Sequence, residues 1–144
     1  MKVENLRSPY EKTGGIVYFA RMLDKIRLHA TGKLPPEFQT NLGIGFDARC
    51  CAFLALDYAL LVEETKKGAS DTACLGWAFQ QGRKPSDEEI EVWNEFMRKR
   101  GWNDDGTATL IRRLKEGGFE DRTDIQTFFD YIDLDEDRDP RDRR

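Results

Sequence analysis

The sequence predicts an all-α fold: a single compact domain of about seven short helices, followed by a charged, disordered C-terminal tail. Three observations carry this prediction. Apolar residues recur at i, i+3, i+4 and i+7 in one segment after another, the period of a helix face. These segments are separated by Gly, Ser, Thr and Asp at helix-end positions, among them the capping-box sequence Ser86-Asp87-Glu88-Glu89. No run shows the period-two alternation of a half-buried strand. A length of 144 residues suits one core, and 39% hydrophobic with 35% charged residues describes a polar chain that still folds.

Residues 1–13 read as an irregular arm with a turn at Ser8-Pro9, tacked down by Leu6 and Tyr10. The first helix runs from Gly14 to Gly32. It turns Ile16, Phe19, Ala20, Leu23, Ile26 and Ala30 to one side and Arg21, Asp24, Lys25 and Arg27 to the other. Gly32 suits a left-handed C-terminal position, and Pro35-Pro36 prevents a restart. Residues 33–45 form a long loop held by Leu34, Phe38 and Leu42. Asp47 reads as the N-cap of a second helix. That helix is apolar nearly all round from Cys50 to Leu56, which makes it central and buried. A third helix spans Tyr58 to about Lys67, and Ser70 caps a fourth from Asp71 to about Gln81. Ser86 opens a fifth, with Ile90, Trp93 and Met97 inward, and Thr107 a sixth that closes at Gly117-Gly118. Thr123-x-x-Gln126 reads as a second capping box, ahead of Ile125, Phe128, Phe129 and Ile132. The domain is therefore placed at residues 1–132 and the flexible charged tail at 133–144.

Composition excludes several functions. A net charge of −4 argues against nucleic acid, and Arg112, Arg113 and Lys115 are too few to change that. The longest apolar run, Cys50 to Leu56, is too short for a membrane span of roughly 20 residues. Residues 1–13 lack the apolar stretch of a signal peptide. Cys50, Cys51 and Cys74 are odd in number and lie in apolar helices, so free thiols and a cytoplasmic location are expected. Neither a metal nor a cofactor is expected. His29 is the single histidine, and the adjacent cysteines form no Cys-x-x-Cys pair. Asp133, Asp135, Asp137 and Asp139 alternate like calcium ligands, but Arg138 stands where the turn needs glycine and Arg144 where the closing glutamate belongs.

The candidate site is the polar side of the first helix. Taken alone, Arg21, Asp24 and Lys25 form an ordinary ion-pair face. The glycine turns at Gly14-Gly15 and Gly43-Ile44-Gly45 each precede a helix start, where backbone N–H groups attract anions. Convergence of those starts would let Arg21, Lys25 and Arg49, with the backbone near Gly15 and Phe46, surround a carboxylate or phosphate. Asp24 would orient an arginine. The primary expectation is thus a binding domain for a small anionic ligand or a protein partner, leaning away from catalysis. One rival is an enzyme with Asp24 as base and Lys25 or His29 as acid, which needs Asp24 in a cleft. The other is a homo-oligomer joined through exposed aromatics such as Trp102 and Phe119.

Leu6-Arg7-Ser8-Pro9, Gly14-Gly15, Tyr18, Ala20-Arg21-Met22-Leu23-Asp24-Lys25-Ile26-Arg27, Gly32-Lys33-Leu34-Pro35, Gly45-x-Asp47, Ser70-Asp71 and Leu75-x-Trp77 together resemble a bacterial family known as domain of unknown function 5069. The resemblance spans about residues 5–102 and is most specific in the Arg-x-x-Asp-Lys-x-Arg stretch. It implies a bacterial, intracellular protein and names no reaction. The segment after residue 103 reads as an addition to it.

Overall fold

A computed structural model describes residues 1–143; Arg144, the end of the expected tail, lies outside the described residues. The described chain is mostly helical, with eight α-helices and one small hairpin. Strands β1 (Lys12–Thr13) and β2 (Ile16–Val17) pair antiparallel, Lys12 opposite Val17 and Thr13 opposite Ile16. Gly14 and Gly15, at φ +56° and +80°, make the two-residue turn between them. The hairpin corrects the expected helix start, because Gly-Gly beside β-branched residues is a hairpin signal that outweighs the helical spacing. Helix α1 (Phe19–Ala30) begins only after it. Its N-cap, Tyr18, sits at φ +76°, a conformation unusual for a bulky side chain.

The expected loop at 33–45 contains a short helix, α2 (Pro36–Gln39), entered through Pro36 in its first turn. Helix α3 (Phe46–Leu54) is capped by Gly45, not by Asp47, which lies one residue inside the helix and is fully buried. Helix α4 (Tyr58–Lys66) starts at the Asp57 cap, α5 (Asp71–Gln81) at Ser70 and α6 (Asp87–Lys99) at Ser86. The Ser86–Glu89 capping box is complete in both directions, at 3.2 and 2.9 Å. Helix α7 (Thr107–Glu116) follows the expected bounds. Helix α8 (Phe128–Asp135) is capped by Thr127 in place of Thr123, the Thr127 hydroxyl accepting from the Asp130 N–H at 3.2 Å.

The central helix is α1. Phe19, Met22 and Leu23 are fully buried and pack with Leu54, Leu61, Ala78, Met97 and Phe129 from four surrounding helices and α8. The helix expected to be central, α3, leaves Ala52 exposed and Phe53 half-buried. Its apolar runs therefore overstate its burial. A second cluster joins Leu110 and Leu114 of α7 to Ile125, Phe128 and Leu134.

The largest correction concerns residues 133–143, which are not a disordered tail. Asp133 completes the last turns of α8, and Pro140–Arg143 form a 3-10 helix. Asp133 and Glu136 are buried. Arg138 bonds both, and Arg122 reaches Asp139 through two hydrogen bonds of 3.0 and 2.8 Å. Charge density alone predicts solvation; here Asp133, Glu136 and Asp139 each pair with two arginines, and Asp137 faces the N-terminal amine. No described helix is long and apolar enough to cross a membrane.

Candidate functional site

Helix α1 carries two polar clusters on different sides. On the first, Arg7 from the N-terminal arm grips Asp24 through Nε and Nη2, both at 2.9 Å, and reaches Asp71 at 2.7 Å. Arg27 bonds the other Asp71 oxygen at 2.8 Å and lies 3.5 Å from Asp24. The Arg7 hydrogen bond holds the Asp71 carboxyl below its ordinary range, with Arg27 adding to it. This closed network ties the arm to α1 and α5.

Arg21 and Lys25, one turn apart, form the second cluster. Arg21 donates to both oxygens of Glu136, at 2.8 and 2.6 Å, and to the Arg7 carbonyl at 3.0 Å. Burial opposes the guanidinium charge, but Glu136 more than compensates and keeps its pKa above the usual arginine value. Lys25 Nζ lies 2.8 Å from Asp47 Oδ1 and donates to the Tyr18 hydroxyl at 3.1 Å. Tyr18 in turn donates to the same Asp47 oxygen at 2.6 Å, while Asp47 Oδ2 accepts from the Gly43 N–H at 3.0 Å. Desolvation lowers the Lys25 pKa, opposed by Asp47. Burial, then Asp47, pushes Tyr18 well above its ordinary value.

Tyr18, Arg21, Lys25 and Glu136 form the inner wall of a cavity of ≈ 710 Å³ between α1, α2, α3, α7 and α8. Arg21, Lys25 and Arg49 all line it, as the sequence suggested, together with Arg100, Arg113 and the start of α3 at Gly45–Phe46. Arg100 is paired with Asp104 and Asp105. Arg49 and Arg113 differ: each lies over an aromatic ring, Phe96 at 5.1 Å and Phe128 at 5.8 Å, and neither has an ion-pair partner among the described residues. The apolar lining comes from Phe38, Ile44, Phe128 and Ile132.

Two expected site residues lie elsewhere. Gly15 sits in the hairpin turn, its carbonyl accepting from Asn94 Nδ2 at 2.8 Å, and Asp24 belongs to the Arg7 network. His29 is exposed beside a separate groove with Ile26, Tyr58 and Val62. Sequence reasoning missed Tyr18, Asp47, Arg113 and Glu136. The i, i+7 spacing of Tyr18 and Lys25 was a usable signal for the first. Nothing local pointed to Glu136, more than a hundred residues from Arg21 in sequence.

The sequence model of one protein family, described as Domain of unknown function (DUF5069), matches residues 3–138. The match continues past residue 102 through α7 and α8, so the Arg21–Glu136 pair falls wholly within it. No curated protein matches the chain.

Proposed function

The chain belongs to the DUF5069 family, and from that premise we propose that it is a binding domain for a small anionic ligand, held in the cavity between α1, α3, α7 and α8. The observation that carries this reading is the pair Arg49 and Arg113. Both line the cavity, both are packed against an aromatic face, and neither forms an ion pair among the described residues, although Glu37, Glu116 and Asp135 share the lining. A guanidinium stacked on a ring is preorganised and keeps its donor edge for a carboxylate or phosphate. The positive end of α3 opens on the same space and favours the same charge. The cavity volume lies within the range that holds small molecules, and the apolar lining suits a ligand with a hydrophobic body behind its anionic group. In this reading Asp24 positions Arg7 and Arg27 and is not a base. A cytoplasmic setting belongs to the same proposal, supported by three buried free thiols.

Benzoate and phenyl phosphate are suitable probes by isothermal titration. Saturable binding is expected, weakening about tenfold or more in Arg49→Ala and Arg113→Ala, as suits the roughly 1.5–3 kcal/mol of a hydrogen bond to a charged group. Equal binding by the variants, or none by the parent protein, would sink the proposal. Self-association is the second reading, supported by Val92, Phe96 and Trp102, which are 64%, 41% and 56% exposed on or just after α6. Sedimentation velocity separates the two: a monomer removes the second reading.

A further inference from the structure

We propose that Lys25 is an imine-forming nucleophile toward a small 2-oxo acid, with Tyr18 and Asp47 as its proton partners. The inference rests on the anion-binding reading of the cavity and adds the chemistry of its inner wall. Lys25 is the one amine among the cavity-lining residues. Its Nζ is almost fully buried and held between two groups able to move a proton, Asp47 Oδ1 at 2.8 Å and the Tyr18 hydroxyl at 3.1 Å. A lysine largely withdrawn from water, with groups beside it that can take its proton, is suited to attack a carbonyl.

A simple structural ion pair would need only Lys25 and Asp47. The third member comes at a conformational cost, since Tyr18 adopts φ +76° at the N-cap of α1. That backbone places its ring edge-on to Phe46, at 5.7 Å, and its hydroxyl on both Asp47 and Lys25. Strain of this kind is concentrated where a side chain must be aimed. The class of ligand follows from two features of one cavity. An amine with proton partners calls for a carbonyl, and the unneutralised arginines call for an acid group on the same small molecule.

The step balances without an added reagent. The Lys25 ammonium passes a proton to Asp47, and the free amine attacks the carbonyl carbon. The C–N bond forms as the carbonyl π pair moves to oxygen, which takes a proton from Tyr18; Tyr18 recovers one from the nitrogen. Asp47 then returns its proton through the Tyr18 hydroxyl, 2.6 Å away, which passes one on to the departing hydroxyl. The C–O bond breaks, water leaves, and a protonated imine remains. One ammonium and one ketone give one iminium and one water.

The test uses the full chain with pyruvate or phenylpyruvate and sodium cyanoborohydride, read by intact mass and peptide mapping. Expected is a single reduced adduct on Lys25, suppressed by excess benzoate. The adduct should be absent in Lys25→Arg, which keeps the charge facing Asp47. It should form more slowly by roughly tenfold or more in Tyr18→Phe. Should Lys25→Arg fail to fold, the mapped position in the parent protein and the Tyr18→Phe rate still decide the matter. Saturable binding of these oxo acids with no adduct at Lys25, or adducts spread over surface lysines, overturns the imine role and leaves anion binding standing. An absence of both binding and adduct removes the cavity reading and this inference with it.

Discussion

Arg21 and Lys25 face the cavity from its inner wall, Arg49 and Arg113 from its rim, and the two pairs of cations are held in opposite ways. The inner pair is buried and locked to Glu136 and Asp47. The rim pair is exposed and rests on aromatic rings. A buried charge survives only with a partner, because desolvation costs several kcal/mol per ion. An exposed charge stays hydrated and is free to exchange water for a ligand. Arginine therefore builds the fold as Arg21 at one end of the cavity and remains available as Arg49 and Arg113 at the other. A cluster of cations in a sequence does not say which of the two it is.

Breaking the inner pair gives the largest expected effect. Glu136→Ala leaves Arg21 buried without its carboxylate and is expected to cost about 3–5 kcal/mol, seen as a lower urea midpoint. Arg21→Ala should fall in the same range, so loss of ligand in that variant would report unfolding. The contrast sharpens at the rim. The Arg49→Ala, Arg113→Ala double variant should keep its melting temperature, with a stability change of about 0.5 kcal/mol or less, while losing affinity for benzoate. A large loss of stability there would erase the distinction between the two pairs.

The Arg7 network supplies a pH test on the far side of α1. Asp71 is held below its ordinary value of 3.8 in the folded chain, first by Arg7 and then by Arg27. The unfolded chain takes up the proton first, so this stabilisation is present above that value and is lost as the pH falls below it. Urea midpoints between pH 5 and pH 2 should drop less steeply in Asp71→Asn than in the parent protein. The smallest effect belongs to an ordinary helix end: Ser86→Ala removes the N-cap of α6 and should cost about 1 kcal/mol with no change in ligand binding.

Local signals carried most of the fold. The Ser70 and Ser86 caps and the bounds of α4, α5, α6 and α7 were legible because each depends on residues three or four apart. The errors share a cause, which is competition between signals. Gly14-Gly15 predicts a helix entrance, but its β-branched neighbours also fit a hairpin. Asp47 has the residue type of a cap, but its carboxylate is turned inside, against Lys25. The composition of residues 133–144 predicts a solvated tail because composition counts charges and not their pairing. Around the cavity, the shared helix face of Arg21 and Lys25 and the glycine turn before Arg49 are legible in the sequence. Glu136 and Arg113 arrive from α8 and α7, and only tertiary packing brings them to the cavity.

Anion binding in the cavity is tested by a nitrogen-15 NMR titration of the full chain with benzoate, following backbone amides and the arginine Nε–H signals together. Anion binding at the rim predicts saturable shifts confined to Gly45, Phe46, Arg49, Arg113 and their neighbours around the cavity, abolished in the Arg49→Ala, Arg113→Ala double variant. Shifts scattered over the surface, or a response that survives in the double variant, would contradict it.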